Sequence, residues 1–151
     1  MHDPYHDSRA ADATSFEIAS SDAAETREIA EQLGAEVAAR FGPRDERPLT
    51  IVLRKNGALV AGLNGVSHWR WLYIRHFYVA PQWRGREIGR GLMARAEAEA
   101  QRRACVGIYL DTFDEGAAAF YERLGFSRRG RIDGFPVGFA RTFLCKTLQA
   151  T

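Results

Sequence analysis

Cysteine is scarce in this chain: Cys105 and Cys145 are the two present, far apart in sequence and each at or inside an apolar stretch. With no C-x-x-C spacing and no histidine cluster beside them, a disulfide framework, a zinc site or a redox motif is disfavoured, and both read as packed thiols. Lysine is rarer than its charge class suggests, since only Lys55 and Lys146 among 21 basic residues are not arginine. The formal net charge of +2 is too small to imply a polyanionic partner. No run approaches the roughly 18 apolar residues of a membrane span, and the opening residues lack an apolar signal core. A cytoplasmic protein with no membrane and no nucleic-acid partner is the resulting expectation. Internal repeats and low-complexity linkers are also absent. Neither Gly-Lys-Ser/Thr nor a G-x-G-x-x-G spacing occurs, which sets aside a nucleoside-triphosphate loop and a dinucleotide fold. His2, Asp3, His6 and Asp7 resemble metal ligands by type, but they stand in a polar opening that runs to about Thr14. That stretch reads as a disordered tail over 1–14, and no metal is expected.

What remains is ordinary for one globular domain over 15–151: apolar residues make up 46% and charged residues 26% of 151 residues. Phe16 to Ile18 reads as a short strand, and Ser21 or Asp22 as the cap of a helix from about Ala23 to Arg40 that Gly42-Pro43 ends. Leu49 to Arg54 and Ala58 to Leu63 flank Asn56-Gly57, the favoured dipeptide of a two-residue type I′ hairpin. Leu72 to Val79 is β-branched and aromatic throughout and stops at Pro81, which lacks a backbone donor. Further strands are expected over Val106 to Thr112, about Phe126 to Ile132 and about Phe139 to Leu148, the last two joined by Asp133-Gly-Phe-Pro136.

The most informative segment joins the Leu72–Val79 strand to the next helix. Val79 to Met93 reads as apolar strand, then a turn rich in glycine and arginine, then a helix from about Gly89 to Arg103. Ile88, Leu92, Met93, Ala96 and Ala100 give that helix an apolar face, and Arg95 and Glu99 an i,i+4 pair. A helix start leaves its first amides without intrahelical partners and carries positive potential, so it suits an anion. Gly85 and Gly89 permit tight turning, and Arg84, Arg86 and Arg90 supply forked donors for phosphate oxygens.

At Arg84 to Gly89 the sequence resembles the GCN5-related N-acetyltransferase (GNAT) superfamily, whose signature there is R/Q-x-x-G-x-G/A, with Glu87 in place of the inner glycine. A second match is Ala119-Phe-Tyr-Glu-Arg-Leu-Gly-Phe126, similar to that superfamily's later short helix and its exit into a strand. The resemblance implies a single α/β (α+β) domain, with helices flanking a mixed, mostly antiparallel sheet of six to seven strands. It implies acetyl-CoA as co-substrate and transfer of its acetyl group to a primary amine of a small molecule or peptide. Cofactor contacts would come from Phe77 and Val79 through main chain, and from Arg84, Gly85, Arg86, Glu87, Ile88, Gly89 and Arg90 around the diphosphate. Tyr121 matches the tyrosine that often protonates the departing thiolate. Arg75 stands near where many members carry a glutamate base, leaving His76 and Asp111 as the nearest candidates to accept the amine's proton. On its strand, His76 should face away from Arg75, and Asp111 could instead cap the following turn. A homodimer is compatible with the resemblance. A non-catalytic acyl-CoA-binding regulatory module is the alternative from a different class.

Overall fold

The computed structural model describes residues 16–17 and 23–149 and divides at Pro43/Arg44 into two compact units. The expected tail over 1–14 and the caps at Ser21 and Asp22 lie outside the described residues. So does Ile18, while Phe16 and Glu17 are in no regular element, and the expected first strand is not seen there. In the first unit, α1 spans Ala23–Phe41. It stops at Gly42, whose φ of 89° suits a residue without Cβ and whose N–H donates to Ala38 O at 2.9 Å.

The second unit is a six-stranded sheet with two helices. In chain order it comprises β1 (Arg47–Lys55), β2 (Ala58–His68), β3 (Trp71–Val79), a 3-10 turn (Pro81–Trp83), α2 (Ile88–Arg102), β4 (Gly107–Thr112), α3 (Glu115–Arg123), β5 (Ser127–Asp133) and β6 (Ala140–Thr147). The strands lie in the order β1-β2-β3-β4-β6-β5, and every neighbouring pair is antiparallel except β3 with β4. The parallel pair is the one joined through a helix, α2, as a crossover requires.

Asn56 and Gly57 turn β1 into β2 with φ of 50° and 80°, as the type I′ reading requires. β2 runs on to His68, beyond the expected end at Leu63, because a second tight hairpin follows. Trp69 and Arg70 both adopt positive φ, 46° and 65°, and bring His68 opposite Trp71. Neither residue favours that region. Tertiary bonds hold them there: Trp69 N–H donates to Asp45 Oδ1 at 2.8 Å, and Arg70 Nε to Ala104 O at 3.0 Å.

The core lies between the sheet and α2. Leu72, Ile74, Leu92, Met93, Ala96, Ala100, Ile108 and Leu144 are buried in one cluster, and Ala118, Tyr121 and Leu124 bring α3 onto it. Glu99 does not pair with Arg95 as expected. It accepts from Arg102 and Arg103, because the nearly buried Arg103 side chain, which also donates to Arg47 O and Pro48 O, needs a counter-charge. Both cysteines are free; Cys105 is buried, which raises its thiol above the ordinary range, and Cys145 is half-buried. No described helix is long and apolar enough to cross a membrane.

Candidate active site

The sheet forks. β3 and β4 pair only from Trp71 to Tyr73, opposite Gly107 to Tyr109, and part beyond that point. Two residues further on, β3 carries a bulge: Asn64 faces His76 while Gly65 faces Ile74, so Arg75 is an extra residue. A bulge bends a strand and shifts which side chains face which side. Before it Leu72 and Ile74 are buried, whereas after it the half-buried, core-facing positions are Phe77 and Val79. Gly65 makes the bulge possible, since a Cβ there would lie 1.8 Å from Tyr73 O.

Past the bulge, Ala80 N–H donates to Val60 O at 2.8 Å. Antiparallel alternation therefore turns the main-chain groups of Val79 and Phe77 away from β2, toward the fork. These are the two residues expected to offer main chain to a ligand arm.

The fork leads to the start of α2. Arg84 is extended, Gly85 has φ of 73°, and Glu87 sits at the N-cap with φ 65° and ψ 7°. No side chain caps this end, so the first amides of α2 keep the unmet donors that a helix start always has. Glu87 therefore adopts the left-handed backbone that a glycine would take there. Its carboxylate points outward, 78% exposed, and accepts from Arg90 Nε at 2.9 Å. Arg84 Nε donates to Val79 O at 2.9 Å, and the Arg86 guanidinium lies 5.1 Å from the Trp83 ring. A Cβ on Gly89 would lie 3.0 Å from Phe120 Cζ and 3.6 Å from Phe77 Cε1, so the bare α-carbon keeps the helix start close to the aromatic floor.

Fork, turn and α3 enclose a cleft of about 520 Å³. Phe77, Val79, Arg84, Gly85, Glu87, Ile88, Gly89 and Arg90 line it on one side and Tyr121 on the other. Tyr121 packs edge-on to Phe77, with centroids 5.8 Å apart, and tilts against Phe120 and Phe126. α3 presents it rigidly. Asp114 Oδ1 caps the helix by accepting from Gly116 N–H at 2.8 Å, and Gly125, at φ 95°, closes it with Phe126 N–H bonded to Tyr121 O. Burial, with a smaller push from the Asp111 charge, raises the Tyr121 phenol from 10.0 to about 12. The group is a proton donor at any physiological pH.

Of the three expected catalytic residues, only Tyr121 lines this cleft. Unbroken strand alternation would set His76 and Arg75 on opposite faces; with the bulge beside them both are exposed, and His76 Nδ1 lies 2.9 Å from Asn64 Oδ1. Asp111 does not cap the next turn, a task that Asp114 performs. It accepts from Arg141 Nε at 2.7 Å and from the Tyr73 hydroxyl at 3.2 Å, so its charge is already met. Trp83, Asp114 and Arg123 also line the cleft and were not foreseen. Asp114 was readable as an N-cap immediately before Glu115; the other two had no local signal.

The sequence matches the acetyltransferase (GNAT) family over residues 13–126. It is 37% identical to an acetyltransferase of Agrobacterium fabrum over 126 residues, covering 83% of this chain and 92% of that one. It is 35% identical to the blasticidin-S acetyltransferase of Streptomyces morookaense over 109 residues, covering 69% and 80%. A crystal structure assigned as an acetyltransferase of Agrobacterium tumefaciens superimposes with a TM-score of 0.78 at 35% identity, covering 89% of this chain and all of that one. With the forked sheet and the uncapped helix start, these matches place the chain in the GNAT family, as an acetyl-CoA-dependent acyltransferase.

Proposed function

We propose that the chain moves the acetyl group of acetyl-CoA to a primary amine of a small molecule by direct attack. The observation that carries this reading is the continuity of the cleft: unpaired β3 main chain, uncapped α2 amides and the Tyr121 phenol line one space. The diphosphate would lie on the amides from Arg84 to Arg90, with Arg84 and Arg86 as flanking cations. The pantetheine arm would pair with Phe77 and Val79 main chain, Arg84 swinging off Val79 O to admit it. Coenzyme A supplies an activated thioester carbon and a thiolate leaving group.

The remaining chemistry is proton handling. The amine must lose a proton before its nitrogen bonds the carbonyl carbon; when the C–S bond breaks the Tyr121 O–H delivers a proton to sulfur, and the proton that the newly bonded nitrogen sheds restores the phenol. Asp111 is bound to Arg141 and His76 lies outside the cleft lining, so we assign the amine's proton to water at the cleft mouth rather than to either residue. Metal is not required by this scheme. The blasticidin-S acetyltransferase, by its name, acts on a small molecule, which supports a small-molecule acceptor over a peptide.

A time course of free thiol release from acetyl-CoA, with a panel of small amines, tests the reading. Amine-dependent thiol release is the expected result. Saturable binding of acetyl-CoA with no release in the presence of any amine would instead identify a regulatory acyl-CoA-binding module.

A further inference from the structure

The fork has two faces. Leu72, Ile74, Ile108 and Leu110 are buried in the core with α2, so alternation turns Tyr73, Arg75, Tyr109 and Asp111 to the opposite side. The Tyr73 ring stacks on Tyr109, with centroids 4.9 Å apart. Where β3 and β4 part, the Tyr73 hydroxyl donates across the gap to Asp111 Oδ1, and Arg141 Nε on β6 donates to Oδ2. The Asp111 charge is also felt at the Tyr121 phenol, so this cluster stands within electrostatic reach of the acid across the fork. A coenzyme filling the cleft leaves this face as the approach for the amine.

The charges of the cluster do not balance. Asp111 and Arg141 answer each other, but Arg75, exposed on the same side of β3, has no carboxylate partner among the described residues. Its charge and that of Arg141 both act on the Tyr73 phenol, so one positive charge stands unanswered at the fork. Arg141 gives only Nε to Asp111, and its side chain is 27% exposed. Phe113 and Phe135 lie 5.2 and 5.1 Å from its guanidinium, and both rings remain exposed. This surface repels an acceptor whose only charge is its ammonium. It suits one whose own carboxylate meets the forked donors and whose apolar body covers the rings. We propose that the acceptor is an amino acid: a primary amine with a carboxylate on the same or the next carbon and an apolar side chain, Arg75 and Arg141 reading the carboxylate. The proposal rests on the acetyl-transfer reading of the cleft.

Steady-state thiol release from acetyl-CoA tests it, with phenylalanine, leucine and 3-amino-3-phenylpropanoate each compared with its carboxamide, on the wild type, Arg75→Gln and Arg75→Lys. The wild type is expected to favour the carboxylates at least about tenfold in kcat/KM, the return of charge-assisted contacts at a partly exposed site. Arg75→Gln should bring each pair within about threefold, mainly by raising KM for the carboxylate, and Arg75→Lys should keep most of the preference. Because Arg75 is exposed and unpaired, both variants should melt with the wild type. Carboxamides used as well as carboxylates, a preference that survives Arg75→Gln, or turnover confined to amines without a carboxylate overturns the proposal and leaves the cleft reading standing. Absence of thiol release with every amine would defeat the transfer reading and this proposal together.

Discussion

Replacing Tyr121 by Phe removes one oxygen from the cleft and leaves a ring of the same shape between Phe77, Phe120 and Phe126, so chemistry and packing separate at this position. A positioned general acid contributes about 10²–10⁴ in rate, and kcat should fall by about a hundredfold or more while acetyl-CoA affinity stays within about twofold. The same variant has a signature in stability. Folding holds the phenol at about 12, above its ordinary 10.0, and so favours its neutral form. That contribution is complete below pH 10 and disappears as pH rises through about 12; the difference is worth about 3 kcal/mol. Denaturant melts from pH 9 to 12 should therefore show the wild type losing stability that Tyr121→Phe keeps. Full activity in the variant would refute the acid role, and parallel melts would refute the burial argument behind the raised value.

Further outcomes follow from the same geometry. Glu87→Gly places a residue at ease in the left-handed region and removes a carboxylate from the diphosphate turn, so the protein should gain up to about 1 kcal/mol; calorimetry should also show acetyl-CoA binding several-fold tighter, and weaker binding would count against the turn as the anion site. Asp111→Ala leaves the Arg141 guanidinium among Phe113, Phe135 and Phe143 without its anion, and should lower the unfolding free energy measurably in denaturant melts. A hundredfold loss of kcat with unchanged stability would reinstate Asp111 as the base. Gly65→Ala drives a methyl into Tyr73 O and should cost more than about 3 kcal/mol; a melting temperature near that of the wild type would show the bulge to be pliable.

Much of this could be read from the sequence where a local rule had one solution. Asn56-Gly57 dictated its hairpin, Gly125 its left-handed helix exit, and Pro81 the end of β3, so the strand, turn and helix around the cleft were legible. Of the residues that the resemblance named on that segment, all but Arg86 line the cleft. Trp69-Arg70 were not, because side chains disfavoured in a tight turn are held there by Asp45 and Ala104, partners that only the folded chain supplies. The placements of His76 and Asp111 failed for related reasons: alternation assumes an unbroken ladder, and Arg75 breaks it; Asp111 meets Arg141, thirty residues away, across β4 and β6.

The extra residue at Arg75 also makes strand length matter as well as composition. Excising it would leave His76 opposite Asn64 and Phe77 opposite Leu63, so Phe77 and Val79 would keep their core-facing side while the bend that the bulge gives β3 beside the fork would be lost. Along this strand, a one-residue deletion at Arg75 should therefore act on the fork rather than on the core.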